Sequence, residues 1–404
     1  MSEQLFTPGK KALLLSDFMI SLMDGKVSRE QVIAIQGKLA GSTPKDFISA
    51  VDHLVQQRPV TFEMKKAVNK MLNVFYTYLS TLEQPIPKAG SFFDQMVKDN
   101  QEIVRVVGSF KPAIKEIQKA DEPPEKLIEK ISTTLAELAK VDNHYQVTEN
   151  VLFSFLEKQW PDHRCLQVLW SVHDDARNEI GELQQMIKEK PWDLKRFNRL
   201  TGDLFFDLKT IIFREEKILL PAIVDAGLSV DLDALMPEVG EIGWSFIKSK
   251  PQKENAVNQK INMGEGFVNF ATGQLSFEQI ELIFNHLPVD ITFVDENDTV
   301  RYFSTPKKRT FTRTNSVIGR KVQNCHPPES VWMVEKILEA FKKGEQDDAS
   351  FWIPFKDQFV LIQYFAVRDL NANYMGTIEV TQDVKEIRNL KGERRLLNWE
   401  KETG

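Results

Sequence analysis

Two stretches of sequence decide the fold of the carboxyl-terminal third: FNHLPVDITFVDENDTVRYFS (Phe284–Ser304) and FVLIQYFAVRDLNANYMGTIEVTQDV (Phe359–Val384). Each contains two runs of β-branched and aromatic residues, and a short polar turn with Asp or Asn separates the two runs. This arrangement is typical of β-hairpins. Between the hairpins, Pro327 and Pro328 precede an apolar helical pattern that continues to Phe341. The sequence therefore predicts a small antiparallel sheet with a helix packed over it.

These two stretches resemble the opening and closing strands of a PAS domain. The resemblance implies a domain that receives a signal by binding a small ligand or a protein partner, and that seldom performs chemistry. We expect the domain at residues 276–386, after a linker at 241–275 and before a helical tail at 387–404. Apolar residues recur through Val384–Leu397, which predicts a helix that is too short to be stable alone. Such a helix needs a partner surface, either the sheet or the second subunit of a homodimer.

Composition limits the classes of protein that the chain can represent. With 404 residues, the chain is long enough for two or three domains. Its net charge of −6 argues against a dedicated nucleic-acid-binding protein. Cys165 and Cys325 are the only cysteines, so a disulfide framework is not expected and a reducing cytoplasm fits. The sequence contains no run of eighteen apolar residues, so we expect a cytoplasmic protein that does not bind membranes.

The amino-terminal half of the chain has helical patterning throughout. Residues 1–85 predict a small helical domain. The run Ser42–Asp46 is a good helix start, in which Ser42 or Thr43 caps the helix and Pro44 lies in its first turn. Residues 86–240 contain four longer apolar seams with short connections, which predict an up-down-up-down four-helix bundle. Three polar residues fall on or beside these apolar seams, namely His144, His173 and Glu215.

Imidazole and carboxylate groups that project inward from several helices are how a bundle holds a metal centre. Three segments, HYQVTENVLFSFLE (His144–Glu157), LWSVHDDAR (Leu169–Arg177) and IIFREEKILLPAI (Ile211–Ile223), resemble helices two, three and four of the hemerythrin-like, HHE cation-binding family. The resemblance implies a bundle that binds iron. The order of small helical domain, hemerythrin-like bundle and PAS domain is also similar to a bacterial three-domain architecture.

The chain departs from this family at several ligand positions. Relatives open the first helix with a histidine-containing run, whereas this chain has SFFD (Ser91–Asp94). The residue four positions after His144 is Thr148, and Glu149 lies about 140° around an ideal α-helix from His144. Arg214 stands where relatives often have a histidine. These departures weaken the expectation of a di-iron centre.

His144, His173 and Glu215 remain as candidate ligands, with Asn100 as a weak fourth. Three ligands could hold one metal ion with open coordination positions. The alternative is a buried hydrogen-bond network between histidine and carboxylate in a bundle that no longer binds metal.

The NCHPP run contains the candidate cofactor ligands of the PAS domain. His326 as a neutral imidazole, or Cys325 as a thiolate, could be an axial ligand of haem or could contact another small ligand. The alternative is a turn whose polar side chains cap the helix that follows.

The predicted fold class is α+β multidomain: an all-α amino-terminal domain and four-helix hemerythrin-like bundle, followed by an α/β PAS domain with an antiparallel sheet. We expect a sensory or regulatory protein whose output passes through a protein partner. No nucleophile–base pair, phosphate-binding glycine loop or H-E-x-x-H motif is present, so an ordinary enzyme is not expected. Two alternatives stay open. One is a non-haem iron protein that binds or responds to oxygen or nitric oxide or handles iron, and the other is a purely structural interaction protein.

Overall fold

The computed structural model describes residues 9–25, 27–119, 123–160, 163–228, 232–247, 266–270 and 272–393. The chain forms two compact units. The first unit contains Met1–Val257 together with two short later segments, Thr314–Arg320 and Asn324–Trp332. The second unit contains Asn258–Arg313, Lys321–Gln323 and Met333–Gly404. Both units are described separately below.

Four helices open the first unit: α1 (Lys10–Met23), α2 (Arg29–Lys38), α3 (Pro44–Gln57) and α4 (Phe62–Thr81). The predicted start of α3 is confirmed. Pro44 occupies its first position, Thr43 Oγ1 accepts a hydrogen bond from the Asp46 N–H at 3.4 Å, and Asp46 accepts one from the Thr43 N–H at 2.8 Å. This reciprocal pair is a capping box.

The predicted four-helix bundle is confirmed. Its first helix is α5 (Phe92–Ile117), and its second consists of α6 (Glu125–Leu138), α7 (Val141–Val147), a π-helical turn (Thr148–Phe153) and α8 (Ser154–Gln159). The third is α9 (Leu166–Met186), and the fourth consists of α10 (Leu194–Arg214), a second π-helical turn (Glu215–Leu219) and α11 (Leu220–Asp225). Helix α5 packs against α6 and α10, and α9 packs against the same two helices. The apolar faces of α1–α4 and of the bundle form one continuous core.

The segment predicted as a linker contains regular structure at both ends. Helix α12 (Met236–Ile242) packs against α7, and the residues after it return to the bundle. Trp244 is buried because its ring packs on Phe92, with centroids 5.6 Å apart, while its Nε1 donates to Gln95 at 2.9 Å. In the second unit, β1 (Phe267–Phe270) and β2 (Gly273–Ser276) form an antiparallel hairpin. Residues 248–265 lie outside the described residues.

The second unit is built on an antiparallel sheet, as the two hairpins predict. Helix α13 (Phe277–His286) leads into β3 (Asp290–Asp295) and β4 (Val300–Phe303), and β5 (Asp348–Phe355), β6 (Gln358–Arg368) and β7 (Tyr374–Asp383) complete the sheet. The strand order is β4-β3-β7-β6-β5. Helix α14 (Pro328–Lys343) begins in the first unit and ends in the second.

Glycine is required at one position of this sheet. Gly376 has φ 145°, and a Cβ there would lie 2.3 Å from the carbonyl oxygen of Val294 on β3. Only a residue without a side chain allows β7 to approach β3 this closely.

The predicted tail helix is wrong over the part of the tail that the structure describes, up to Glu393. These residues contain a short 3-10 turn, Ile387–Asn389. The Val384 N–H donates to the Phe359 carbonyl at 2.8 Å, so the backbone continues to pair with β6 where the helix was expected to begin. Residues 394–404 lie outside the described residues. Within the described ranges, no helix is both long enough and apolar enough to cross a membrane.

Candidate metal centre

Two π-helical turns interrupt the second and fourth helices of the bundle. A π turn contains one more residue than an α turn, so it rotates the side chains that follow. The first begins at Thr148, whose Oγ1 donates to the His144 carbonyl at 2.9 Å. The second begins at Glu215. Glu149 and Glu215 are both buried in the bundle interior. The π turns therefore direct both Glu149 and Glu215 into the bundle interior. Regular α-helical geometry does not predict this position for both residues.

The direction predicted for Glu149 is wrong, because the helix is not a regular α-helix at this residue. Glu149 Oε1 accepts hydrogen bonds from His173 Nδ1 at 2.9 Å and from Arg177 Nη1 at 2.8 Å. Its Oε2 accepts from Arg177 Nη2 at 2.9 Å. Burial opposes ionisation of this carboxyl, but Arg177 and then His173 outweigh it and hold the pKa of Glu149 below its usual value. Glu149 is therefore an ionised partner of His173.

His173 is fully buried in an aromatic environment. The ring of Tyr145 stacks on it with centroids 4.2 Å apart, and Phe153 lies at 6.0 Å. Burial lowers the pKa of His173, which favours the neutral ring. An ionised carboxylate can only accept, so Nδ1 carries the proton and the lone pair is on Nε2. Among the described residues, this Nε2 has no hydrogen-bond partner.

His144 differs because both of its ring nitrogens meet carboxylates. Nδ1 lies 3.0 Å from Asp99 Oδ2, and Nε2 lies 3.2 Å from each oxygen of Glu215. Asn100 Nδ2 donates to Glu215 Oε2 at 3.0 Å. Burial disfavours protonation of the ring, but the charge of Glu215 and the hydrogen bond with Asp99 prevail and raise the pKa of His144 to about 10. Three of the sequence-predicted residues, His144, Glu215 and Asn100, thus form one connected group.

Asp99 and the segment after α12 complete the surroundings of His144, and sequence reasoning identified neither. Asp99 Oδ1 accepts from the backbone N–H groups of Phe246 at 2.8 Å and Ile247 at 3.2 Å. Its Oδ2 accepts from the Ser245 N–H at 3.2 Å, and Ser245 Oγ accepts from the His144 N–H at 2.9 Å. This network fixes both the ring and the backbone of His144.

His144, His173 and Glu215 are too few donors for two metal ions. His144 Nε2 and Glu215 are 3.2 Å apart, which is within hydrogen-bond distance, so a metal ion bound by both would replace the proton between them. Both imidazoles present Nε2 to the interior and give Nδ1 to a carboxylate, as metal-bound histidines do. Helix α5 adds Asn100 but no histidine. In the described part of the chain, no group of three or more His, Cys, Asp or Glu side chains is arranged around a common metal position. The third donor, His173, therefore stands apart from the other two.

Arg214 takes no part in this centre. Its Nη2 donates to Asn69 Oδ1 on α4 at 2.5 Å. Burial lowers the pKa of Arg214 to about 10, and the charges of Asp207 and Asp175 act in the opposite direction. Arg214, which stands where relatives often have a histidine, therefore lies against the amino-terminal helices.

The structure places Cys325 and His326 in the first unit and not with the sheet. Cys325 is buried in a 3-10 turn, and His326 is half-buried just before α14. The second unit has a cavity of about 360 Å³, whose lining includes Pro288, Lys307 and Asp383. Neither Cys325 nor His326 lines that cavity. Haem or small-ligand binding at these two residues stays a prediction.

Comparison with known families agrees with this architecture. Residues 91–223 match the family model of the hemerythrin HHE cation binding domain. Residues 280–385 match the family model of a PAS domain. The chain therefore carries a hemerythrin HHE domain followed by a PAS domain, and a helical amino-terminal region precedes both.

Solved structures give partial matches. A C-terminal domain from Streptococcus mutans is 36% identical, covers 31% of this chain and 98% of its own length, and has a TM-score of 0.30. A PAS domain from Colwellia psychrerythraea is 14% identical over 27% of this chain and 97% of its own, with a TM-score of 0.22. A sensory box sensor histidine kinase from Vibrio cholerae is 11% identical over 26% of this chain and 88% of its own, with a TM-score of 0.21. A search among curated proteins finds no match.

Proposed function

We propose that this chain is a cytoplasmic sensory protein whose hemerythrin-like bundle holds one metal ion through His144, His173 and Glu215. The PAS domain would then convey the state of the bundle to a protein partner. One observation carries the proposal: His173 is fully buried, its Nδ1 is held by Glu149, and its Nε2 has no partner in the described residues. A buried polar atom without a partner is costly and needs a reason. A metal ion supplies one.

The surrounding residues have positioning roles in this proposal. Asp99 and Glu149 each hold one histidine Nδ1, which fixes the ring orientation and increases the basicity of Nε2. Arg177 in turn fixes Glu149 through both carboxylate oxygens. A bound iron ion would supply open coordination positions at which oxygen or nitric oxide could bind. The protein contributes three donor side chains that are fully buried.

A segment of the PAS-matched sequence supports a sensory role. Thr314–Arg320 belongs to the first unit, although residues on both sides of it in sequence belong to the second. Arg320 is buried, and its Nε and Nη2 donate to the two carboxylate oxygens of Glu157 at 2.5 Å each. Its Nη1 donates to the Glu149 carbonyl at 3.4 Å. Glu149, which orients His173, therefore contacts the segment Thr314–Arg320. This segment continues along the chain into the second unit.

Two alternative functions of the bundle also have specific support. His144 already has carboxylate partners at both ring nitrogens, which favours a bundle that is complete without metal. The two-histidine, one-carboxylate donor set is also that of non-haem iron proteins, which favours direct binding of oxygen or nitric oxide, or iron handling, over signalling.

The absorption spectrum and metal content of the purified full-length chain test the proposal. We expect iron or zinc without a Soret band, and a Soret band would instead indicate haem at Cys325 or His326. His173→Ala should lower bound metal at least tenfold while the helical content stays unchanged. His286→Ala, which changes an exposed histidine of the second unit, is the matched control and should retain the metal. Equal metal content in the two variants would contradict the proposal.

A further inference from the structure

A short segment of the PAS-matched sequence packs against the first π turn of the bundle. The segment is Thr314–Arg320, which belongs to the first unit, and its 3-10 turn (Asn315–Val317) contacts both the π turn and α8. Thr314 Oγ1 donates to the carbonyl of Asn150, a residue of the π turn, at 3.4 Å. The segment therefore contacts the part of the second bundle helix that directs Glu149 inward.

Arg320 makes the strongest of these contacts. Its side chain is 1% exposed and forms a bidentate ion pair with Glu157 of α8, whose side chain is 10% exposed. Such a pair fixes both side chains, because removal of either partner leaves a buried charge without compensation. The remaining nitrogen, Nη1, donates to the Glu149 carbonyl within the π turn. One side chain therefore joins the π turn to α8.

Aromatic side chains form a second connection between Arg320 and His173. The guanidinium of Arg320 lies over the ring of Trp170, 5.4 Å from its centroid. Trp170 packs on Phe153, the last residue of the π turn, with centroids 6.4 Å apart. Phe153 in turn stacks on His173 at 6.0 Å. Arg320 is therefore linked to His173 both through Glu149 and through Trp170 and Phe153.

The geometry of the metal site depends on this π turn. A π turn is rare within a helix, and irregular backbone persists where the surrounding structure holds it. If the turn reverted to α-helical geometry, Glu149 would rotate away from the bundle interior. His173 would then lose the carboxylate that holds its Nδ1 at 2.9 Å and orients its Nε2. The contacts from Thr314–Arg320 thus favour the backbone geometry that the site needs.

We propose that Arg320 is a positioning residue of the metal centre, which holds the first π turn and thereby sets the orientation of His173 through Glu149. This inference rests on the proposed metal site. Because linkage is reciprocal, a metal ion that needs the π turn also stabilises the contacts of Thr314–Arg320 with the bundle. The chain continues from this segment into the second unit, so metal binding acts on residues of the PAS-matched sequence.

Replacement of Arg320 by Met in the full-length chain tests this proposal. We expect the affinity for ferrous iron to fall about tenfold, because Glu149 is held less firmly. In the metal-free chain, NMR with labelled histidine should show the His173 Nδ1 proton exchanging with solvent about tenfold faster. Arg368→Met, which breaks an arginine–carboxylate pair in the second unit, is the matched control and should change neither quantity.

A milder variant and a measurement on the wild-type chain cover the case in which Arg320→Met is misfolded. Thr314→Val keeps the size of the side chain and removes its hydrogen bond to the Asn150 carbonyl. It should lower the affinity for ferrous iron about twofold to threefold. In the wild-type chain, ferrous iron should slow amide hydrogen exchange within Thr314–Arg320 about tenfold, by the reciprocity of linkage.

Equal iron affinity and equal His173 proton exchange in Arg320→Met and Arg368→Met would overturn the proposal. A fall in affinity without faster exchange of the His173 proton would also overturn it, since Arg320 would then not act through Glu149. If the wild-type chain binds no iron, the proposed function fails. Faster proton exchange in metal-free Arg320→Met would still support the positioning role, so the two failures are distinguishable.

Discussion

The two carboxylate–histidine pairs of the bundle have the same chemical groups but differ at the second nitrogen of the histidine ring. In one pair, Asp99 holds His144, and the second nitrogen of that ring already meets Glu215. In the other, Glu149 holds His173, and the second nitrogen has no partner in the described residues. The first pair is part of a connected polar network, whereas the second ends at an unsatisfied atom. In the proposed metal site, an ion would therefore have to replace the proton between His144 and Glu215, whereas no such contact would have to be broken at His173 Nε2.

The largest effect that this comparison predicts is on stability, at Asp99. Asp99→Ala removes the acceptor of three backbone N–H groups and of His144. Because it leaves a buried imidazole and several buried donors unpaired, we expect the free energy of unfolding to fall by about 3–5 kcal/mol. Urea denaturation measures this. Glu102→Gln, on the exposed face of the same helix, should change stability by less than about 0.5 kcal/mol. If the free energy of unfolding of Asp99→Ala fell by a similarly small amount, the stabilising role of the hydrogen bonds to Asp99 would be contradicted.

The next effect is on metal binding, at Glu149. Glu149→Gln keeps the shape of the side chain but weakens its hold on His173 and Arg177. We expect the affinity for ferrous iron to fall about 10–100-fold, the usual effect of losing a carboxylate that orients a ligating histidine. A competition assay with a coloured chelator measures the affinity. Glu129→Gln, exposed on α6, is the control. Unchanged affinity in Glu149→Gln would show that Glu149 does not orient a metal-binding histidine.

A smaller effect concerns Glu179, a half-buried carboxylate that has no basic partner among the described residues. Glu179 Oε2 has no hydrogen-bond partner among the described residues, and burial together with Asp207 and Asp203 raises the pKa of Glu179 to about 8. The folded state therefore holds a proton that the unfolded state, with a pKa of about 4.3, releases earlier. Stability from this group is present below about pH 4 and is lost as the pH rises towards 8.

Replacement of Glu179 by Gln should remove the loss of stability that accompanies the rise in pH. We expect the variant to gain about 1–2 kcal/mol over the wild-type chain between pH 5.5 and pH 8.5, after allowing for partial solvent exposure. Urea denaturation at the two pH values measures the difference. Glu129→Gln, an exposed position on α6, should show no such gain. A gain that is equal at both pH values would show that protonation of Glu179 is not its cause.

The sequence is informative where local pattern decides structure. The bundle seams and the two hairpins follow from 3.6-residue and two-residue periodicities, and both features are confirmed. Seven-residue spacing also places Met96 and Ile103 of α5 in the core, and Asp99 between them was a readable signal of a buried polar group. That signal was missed because a single acidic residue in a helix is usually on the exposed face.

The remaining features depend on an irregular helical turn and on contacts between residues that are distant in the sequence. A local sequence pattern predicts neither. The direction of Glu149 is set by a π turn, and a sequence window does not distinguish a π turn from an α turn. The contact of Asp99 with the backbone of Ser245 and Phe246 joins residues almost 150 positions apart. The tail was predicted as a helix from its apolar stripe, but Val384 pairs with the sheet backbone instead. Such long-range pairings outweigh local helix propensity.

The most direct test of the account is the number of metal ions that one chain binds. Anaerobic titration of the metal-free full-length chain with ferrous iron, followed by calorimetry, gives this number. We expect one ion per wild-type chain and none at the same concentrations for His173→Ala. Two tightly bound ions per chain would contradict it, since helix α5 supplies no histidine for a second ion. Equal uptake by the wild-type and His173→Ala chains would also contradict it, because His173 would then not be a ligand.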